Sequence, residues 1–122
     1  MIFDTRFFWA VFTSRDDRTK MKLRALFERE RVAYVSSISL YEVFKQTLIN
    51  EDKDVARLRV GTMRRDFEVI DVDPDIAEVG AEISHRLRIP MADSLIMATA
   101  KRLGTPCVTD DQHFSEVRRI WI

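Results

Sequence analysis

Four short stretches end an apolar or helical run in acid: MIFD at Asp4, SISLYE at Glu42, PMAD at Asp93, and PCVTDD at Asp110 and Asp111. A carboxylate in such a place has two ordinary uses. It can cap a helix by accepting a bond from an orphan N–H, or it can join other acids in holding a hard cation through oxygen. Taken singly, each acid reads as a cap. Asp4 precedes a helix starting at Thr5, Ser39-Leu40-Tyr41-Glu42 has the S-x-x-E form of a capping box, Asp93 suits a helix N-terminus, and Asp110 or Asp111 suits a turn before Phe114. Taken together, the caps explain less. MIF precedes Asp4, and Leu95 and Ile96 follow Asp93, so both acids belong in partly dry surroundings. Two carboxylates about 4 Å apart repel by about 4 kcal/mol at an effective dielectric of 20. Three or four of them must share protons or hold a cation, and oxygen-only ligands suit Mg²⁺ or Mn²⁺ rather than zinc.

The elements that would carry these acids follow from periodicity. MIF (1–3) reads as a short strand and TRFFWAVF (5–12) as a helix or helical turn. Ser14, ahead of Asp16 and Asp17, reads as the cap of a helix running to about Arg31, with Leu23, Leu26 and Phe27 as its stripe. VAYV (32–35) is β-branched and aromatic, a strand. In SISLYEVFKQTLI (37–49), Leu40, Val43, Phe44, Thr47 and Leu48 fall at i, i+3, i+4, i+7 and i+8, a helical face. A polar helix over 52–66 and a strand FEVIDV (67–72), stopped by Asp73-Pro74, come next. Ile76, Val79, Gly80, Ile83 and Leu87 mark an amphipathic helix. PMADSLIMATAKRLG (90–104) is apolar almost all round, a buried helix with Pro90 at its start and Gly104 just past its end. PCVT (106–109) is a strand, and RRIWI (118–122) offers a last one. Strands alternating with helices predict a three-layer α/β sandwich with a mainly parallel central sheet. Such sheets bind ligands outside the carboxyl ends of their strands. The acids all fall at strand ends or helix starts that one edge would gather.

The bulk properties set the frame. The chain has 122 residues, 46% hydrophobic and 33% charged, which predicts a single globular domain over 1–122. Its apolar runs are far short of the roughly 20 residues of a membrane span, and MIFD does not open like a signal peptide. One cysteine, Cys107, inside an apolar run, reads as a core residue and points to a cytoplasmic protein. With 20 basic and 20 acidic residues, broad electrostatic attraction to nucleic acid is not expected. The basic clusters RTKMKLR (18–24), MRRDF (63–67) and HRLR (85–88) read mainly as solvated helix faces, leaving room for a modest local RNA groove.

MIFDT, SSISLYEVF, MADSLIMATAKRLG and VTDDQHF, in that order and spacing, resemble the PIN domain family. More narrowly, the chain resembles the VapC-type ribonuclease toxins of toxin–antitoxin pairs, over nearly its whole length. The resemblance implies a PIN-like fold and Mg²⁺- or Mn²⁺-dependent hydrolysis of RNA phosphodiesters. It also implies a small antitoxin protein as partner and a homodimer. It puts the four family acids at Asp4, Glu42, Asp93 and Asp111, the last chosen on the T-x-D-x-x-F form of Thr109, Asp111 and Phe114, with Asp110 as a possible substitute. Asp4, Asp93 and Asp111 would ligate metal and Glu42 would hold or activate a water. Thr109 would orient Asp111 or a water, or simply bond the strand end.

The other candidates have plainer readings. Arg6 reads as a surface ion pair, with a contact to substrate left open, His85 as surface, and His113 as a neighbour of the site that could meet RNA, without zinc-type spacing. Phe7, Phe8, Trp9 and Phe12 could stack bases, and are expected at an interface. Two aspartate-based alternatives fail. A haloacid-dehalogenase-like enzyme needs an acid two residues after the first, where Arg6 stands. A receiver domain needs an aspartate after VAYV, where Ser36 and Ser37 stand. The alternative of another class is a catalytically silent PIN-like module that binds RNA or a protein.

Overall fold

The central strand, β1, is only Ile2–Phe3, and its two residues divide the molecule. Successive strand side chains point to opposite faces of a sheet. Ile2 joins Cys107, Ile76, Ile83, Leu95 and Ile96 in one core, while Phe3 joins Val35, Val108, Phe7, Phe8, Leu23, Val43 and Met63 in the other. The computed structural model describes residues 1–122. In chain order they form β1, α1 (Thr5–Thr13), α2 (Asp17–Glu28), β2 (Tyr34–Ser36), α3 (Ser37–Asn50), α4 (Lys53–Asp66), β3 (Glu68–Ile70), α5 (Pro74–Leu87), α6 (Met91–Leu103), β4 (Cys107–Val108) and β5 (Arg119–Ile120). The five strands pair in parallel in the order β3-β2-β1-β4-β5. Helices α5 and α6 supply the Ile2 core, and α1 to α4 supply the Phe3 core. This is the three-layer α/β sandwich expected from the alternation of elements.

Helix α6 is the most deeply seated helix, with every residue from Ser94 to Ala100 buried. It ends at Gly104, whose φ of 62° is the left-handed conformation that glycine adopts without a Cβ clash. Its neighbour α5 comes close at Gly80, where an added Cβ would lie 2.8 Å from Leu95 Cδ2. α5 begins at the expected stop, with Asp73 accepting from Ile76 N and Pro74 opening the first turn. Thr99 and Thr47, fully buried, satisfy their hydroxyls on Leu95 O and Val43 O one turn back.

Several sequence expectations need correction. α2 is capped by Asp16, not Ser14. Asp16 accepts from Arg18 N, whereas Ser14 closes α1 with its N–H on Ala10 O, and α2 stops at Glu28 rather than near Arg31. In α3 the buried face is Ser39, Val43 and Thr47, and Leu48 is exposed; in α5, Val79 is exposed. Phe7 and Phe8 are core residues, not interface residues, while Trp9 and Phe12 are half-buried. β3 covers only the middle of FEVIDV, because Asp71 onward leads into the α5 cap. Cys107 is buried as expected.

Candidate active site

The acids meet where β1, β4, α3 and α6 share one edge of the sheet. Asp4 follows β1 directly and is 2% exposed. It does cap α1, since Oδ1 accepts from Thr5 N at 2.7 Å. Its other oxygen, Oδ2, accepts the Thr109 hydroxyl at 2.8 Å. The cap therefore accounts for half of the carboxylate and fixes the plane of the rest. Burial pushes its pKa up to about 7, although the Thr109 and Thr5 bonds pull it down; the charges of Asp93 and Glu42 push it further up.

Glu42 is not part of a capping box. α3 begins one turn earlier, capped by Ser36, whose hydroxyl accepts from Ile38 N at 3.2 Å. Ser39 is buried inside the helix, and Glu42 is in its second turn. The Thr5 hydroxyl lies 2.6 Å from Glu42 Oε1 and 2.9 Å from Ser39 Oγ, so α1 holds this carboxylate across 37 residues of sequence. Burial raises the Glu42 pKa, the Thr5 bond opposes that, and the Asp93 charge adds to it. Sequence reasoning passes over Thr5. Its only signal is its place directly after Asp4.

Asp93 stands in the first turn of α6, where Pro90, the N-cap, provides no side-chain bond. A negative charge there is favoured by the helix dipole. Burial nevertheless raises its pKa; the bond from His113 opposes this and the charge of Asp111 reinforces it. Asp111 N donates to Thr109 Oγ1 at 3.0 Å, and Asp111 Oδ1 accepts from His113 N at 2.9 Å. Thr109 thus bonds Asp4 with its proton and the Asp111 backbone N–H through its lone pair.

The two adjacent aspartates separate cleanly. Asp110 is exposed and is forked by Arg6, whose Nε and Nη2 reach its two oxygens, the second at 3.2 Å. This is the surface ion pair expected for Arg6. Asp111 turns inward. A cavity of about 290 Å³ is lined by Asp4, Glu42, Asp93 and Asp111, with Thr5, Arg6, Trp9, Tyr41, Lys45 and Gln46 around them; Asp110 is not among its walls. No lysine or arginine forms an ion pair with any of the four lining acids. Four carboxylates line this cavity, three of them destabilised as anions by burial, a donor set that fits a divalent cation held through oxygen; Asp93 and Asp111, with His113, bring ligand atoms within 4.8 Å of one another. His113 approaches from the rim, with Nδ1 2.8 Å from Asp93 Oδ2. Its sequence signal, two residues after Asp111 and one before the buried Phe114, does not foretell a contact across 20 residues. His85 is exposed at the end of α5, away from these residues.

A family model described as PIN domain matches residues 1–120. No curated protein is significantly similar in sequence. Among solved structures, the chain is similar to a toxin–antitoxin complex from Klebsiella pneumoniae, at 21% identity and a TM-score of 0.75, covering 98% of this chain and 94% of that one. It is similar to VapC20 of Mycobacterium tuberculosis, described as a sarcin-ricin loop cleaving toxin, at 21% identity and a TM-score of 0.78, with 94% and 93% covered. A DNA-bound VapBC from Salmonella typhimurium matches at 18% identity and a TM-score of 0.76, with 98% and 96% covered. No helix of the chain is long and apolar enough to cross a membrane.

Proposed function

This chain belongs to the PIN domain family, and from that premise we propose that its 122 residues act as one metal-dependent endoribonuclease unit, the toxin of a toxin–antitoxin pair. The observation that carries this reading is the cavity lined by Asp4, Glu42, Asp93 and Asp111, a set of carboxylates without lysine or arginine partners. Solved structures of the same fold, a toxin–antitoxin complex and a sarcin-ricin loop cleaving toxin, support it.

Asp4, Asp93 and Asp111 would hold Mg²⁺ or Mn²⁺. When bound, the cation neutralises the phosphate and lowers the pKa of a water. The chain's own residues do the positioning. Thr109 and the Thr5 N–H fix Asp4 in one orientation, and Thr109 also anchors the backbone of Asp111. Glu42, fixed by the Thr5 hydroxyl, orients the attacking water and takes its proton. Attack in line with the P–O3′ bond breaks that bond, and O3′ takes a proton from solvent as it leaves, giving 5′-phosphate and 3′-hydroxyl ends. Lys45, on the cavity wall, offers positive charge to the flanking phosphates. A homodimer and a small antitoxin protein complete the assembly, and the cytoplasm is its proposed site of action.

The test is incubation of purified protein with mixed structured and single-stranded RNAs in Mn²⁺, in Mg²⁺ and in chelator, beside Asp4→Asn and Asp93→Asn. Cleavage that needs metal and both aspartates is the expected result, with a fall of at least about hundredfold in each variant. Cleavage unchanged by either substitution would remove these acids from the chemistry.

A further inference from the structure

His113 is the nitrogen donor that reaches the acid cluster, and the turn after β4 holds it there. Asp111 N is bonded to Thr109 Oγ1, His113 N to Asp111 Oδ1, and Phe114 is fully buried at the far end. The ring therefore stands with Nδ1 2.8 Å from Asp93 Oδ2 and 3.4 Å from Asp111 Oδ1. One ligand atom from each of these three residues falls within 4.8 Å of the other two. In the neutral tautomer with its proton on Nε2, all three atoms present lone pairs. With a proton on Nδ1 the contact to Asp93 is a hydrogen bond, and a metal ion among the three atoms would take that proton's place. Neighbouring corners of an octahedron with bonds of about 2.1 Å stand about 3 Å apart, and the two distances from Nδ1 bracket that spacing.

We propose that His113 is a nitrogen ligand of the divalent cation, and that it biases the site toward first-row transition ions such as Mn²⁺ over Mg²⁺. The proposal rests on the metal-nuclease reading above and deepens it by adding a donor outside the four acids. The chemistry is direct. Mg²⁺ keeps oxygen ligands and dehydrates reluctantly, whereas imidazole suits first-row transition ions. The competing role for the same contact is a hydrogen bond from Nδ1–H that orients Asp93. Asparagine at 113 retains a side-chain N–H donor but has no imidazole nitrogen, so the two roles separate.

The experiment is Mn²⁺ titration of the whole chain followed by electron paramagnetic resonance, with Mg²⁺ affinity from competition and pulsed measurements for ¹⁴N coupling. Wild type, His113→Ala, His113→Asn and Asp93→Asn are compared. The His113 side chain is 49% exposed, so its substitutions leave the core intact. Wild type should show imidazole ¹⁴N coupling to bound Mn²⁺. Both His113 variants should lose it and bind Mn²⁺ at least about tenfold more weakly, with Mg²⁺ affinity changed less than about twofold. Mn²⁺ bound without ¹⁴N coupling, wild-type affinity in His113→Asn, or equal weakening for both ions would overturn the proposal. If Mn²⁺ binding needs Asp93 but not His113, only the nitrogen ligand falls. If it needs neither, the metal-site reading falls with it.

Discussion

Helix α1 borders two cavities built on opposite physics. Thr5, Arg6 and Trp9 face the acid cavity, while Phe7, Phe8, Val11 and Phe12 face a cleft of about 340 Å³ floored by Phe27, Met63 and Phe67. In the cleft, burial stabilises. The rings meet edge to face, with Phe3 and Phe7 centroids 4.7 Å apart and Phe8 and Phe67 4.9 Å apart, and such pairs add about 0.5–1.5 kcal/mol each beyond area. In the acid cavity, burial destabilises. It raises the pKa of Asp4, Glu42 and Asp93, and the fold tolerates this because threonine hydroxyls and helix starts supply bonds. One side of α1 holds the fold together; the other spends part of that stability on a charged site.

The sharpest way to break the comparison is to empty each side in turn. Phe7→Ala removes a ring packed on Phe3, Phe8 and Phe67, and should lower stability by about 3–5 kcal/mol in urea titration. A loss below about 1 kcal/mol would mean the cleft contributes little.

On the acid side the sign reverses and pH exposes it. The Asp4 carboxyl is raised in the fold from its ordinary 3.8 to about 7. Between those values the folded chain holds a proton that the unfolded chain has released. Without metal, stability should therefore fall as pH rises from about 4 to about 7, with Glu42 and Asp93 acting in the same direction. Chelator-treated protein melted across that range checks it, and a midpoint that rises throughout would refute it. The smallest effect belongs to Arg6 and Asp110, an exposed pair beside the cavity. Arg6→Ala should cost less than about 1 kcal/mol and leave Mn²⁺ affinity within about twofold, read by calorimetry.

The same contrast explains what the sequence could tell. Apolar patterning marks most of the helices and strands, because burial against nonlocal partners leaves a local pattern, whereas α4 reads only as a polar helix. It did not fix which flank of a stripe faces the sheet, hence the exposed Leu48 and Val79. The acids Asp4, Glu42, Asp93 and Asp111 were legible as a group from their places at strand ends and helix starts, and the structure brings them to one cavity. Their partners were not. Ser39 and Glu42 have capping-box spacing, so the pattern pointed to a local bond, whereas Thr5 holds Glu42 from another helix. Likewise, the choice between Asp110 and Asp111 turns on Arg6, more than 100 residues away. Hydrogen bonds of that span leave no periodic trace.

The central claim, that burial strains these carboxylates until a cation relieves them, is tested most directly by thermal unfolding of wild type and Asp4→Asn at pH 7.5, in chelator and in Mn²⁺. In chelator the Asn variant should melt at or above wild type. In Mn²⁺ at about a hundred times its dissociation constant, wild type should gain about 2.7 kcal/mol and become the more stable protein, while the variant gains little. Equal stabilisation of the two proteins, or none of either, would contradict the account.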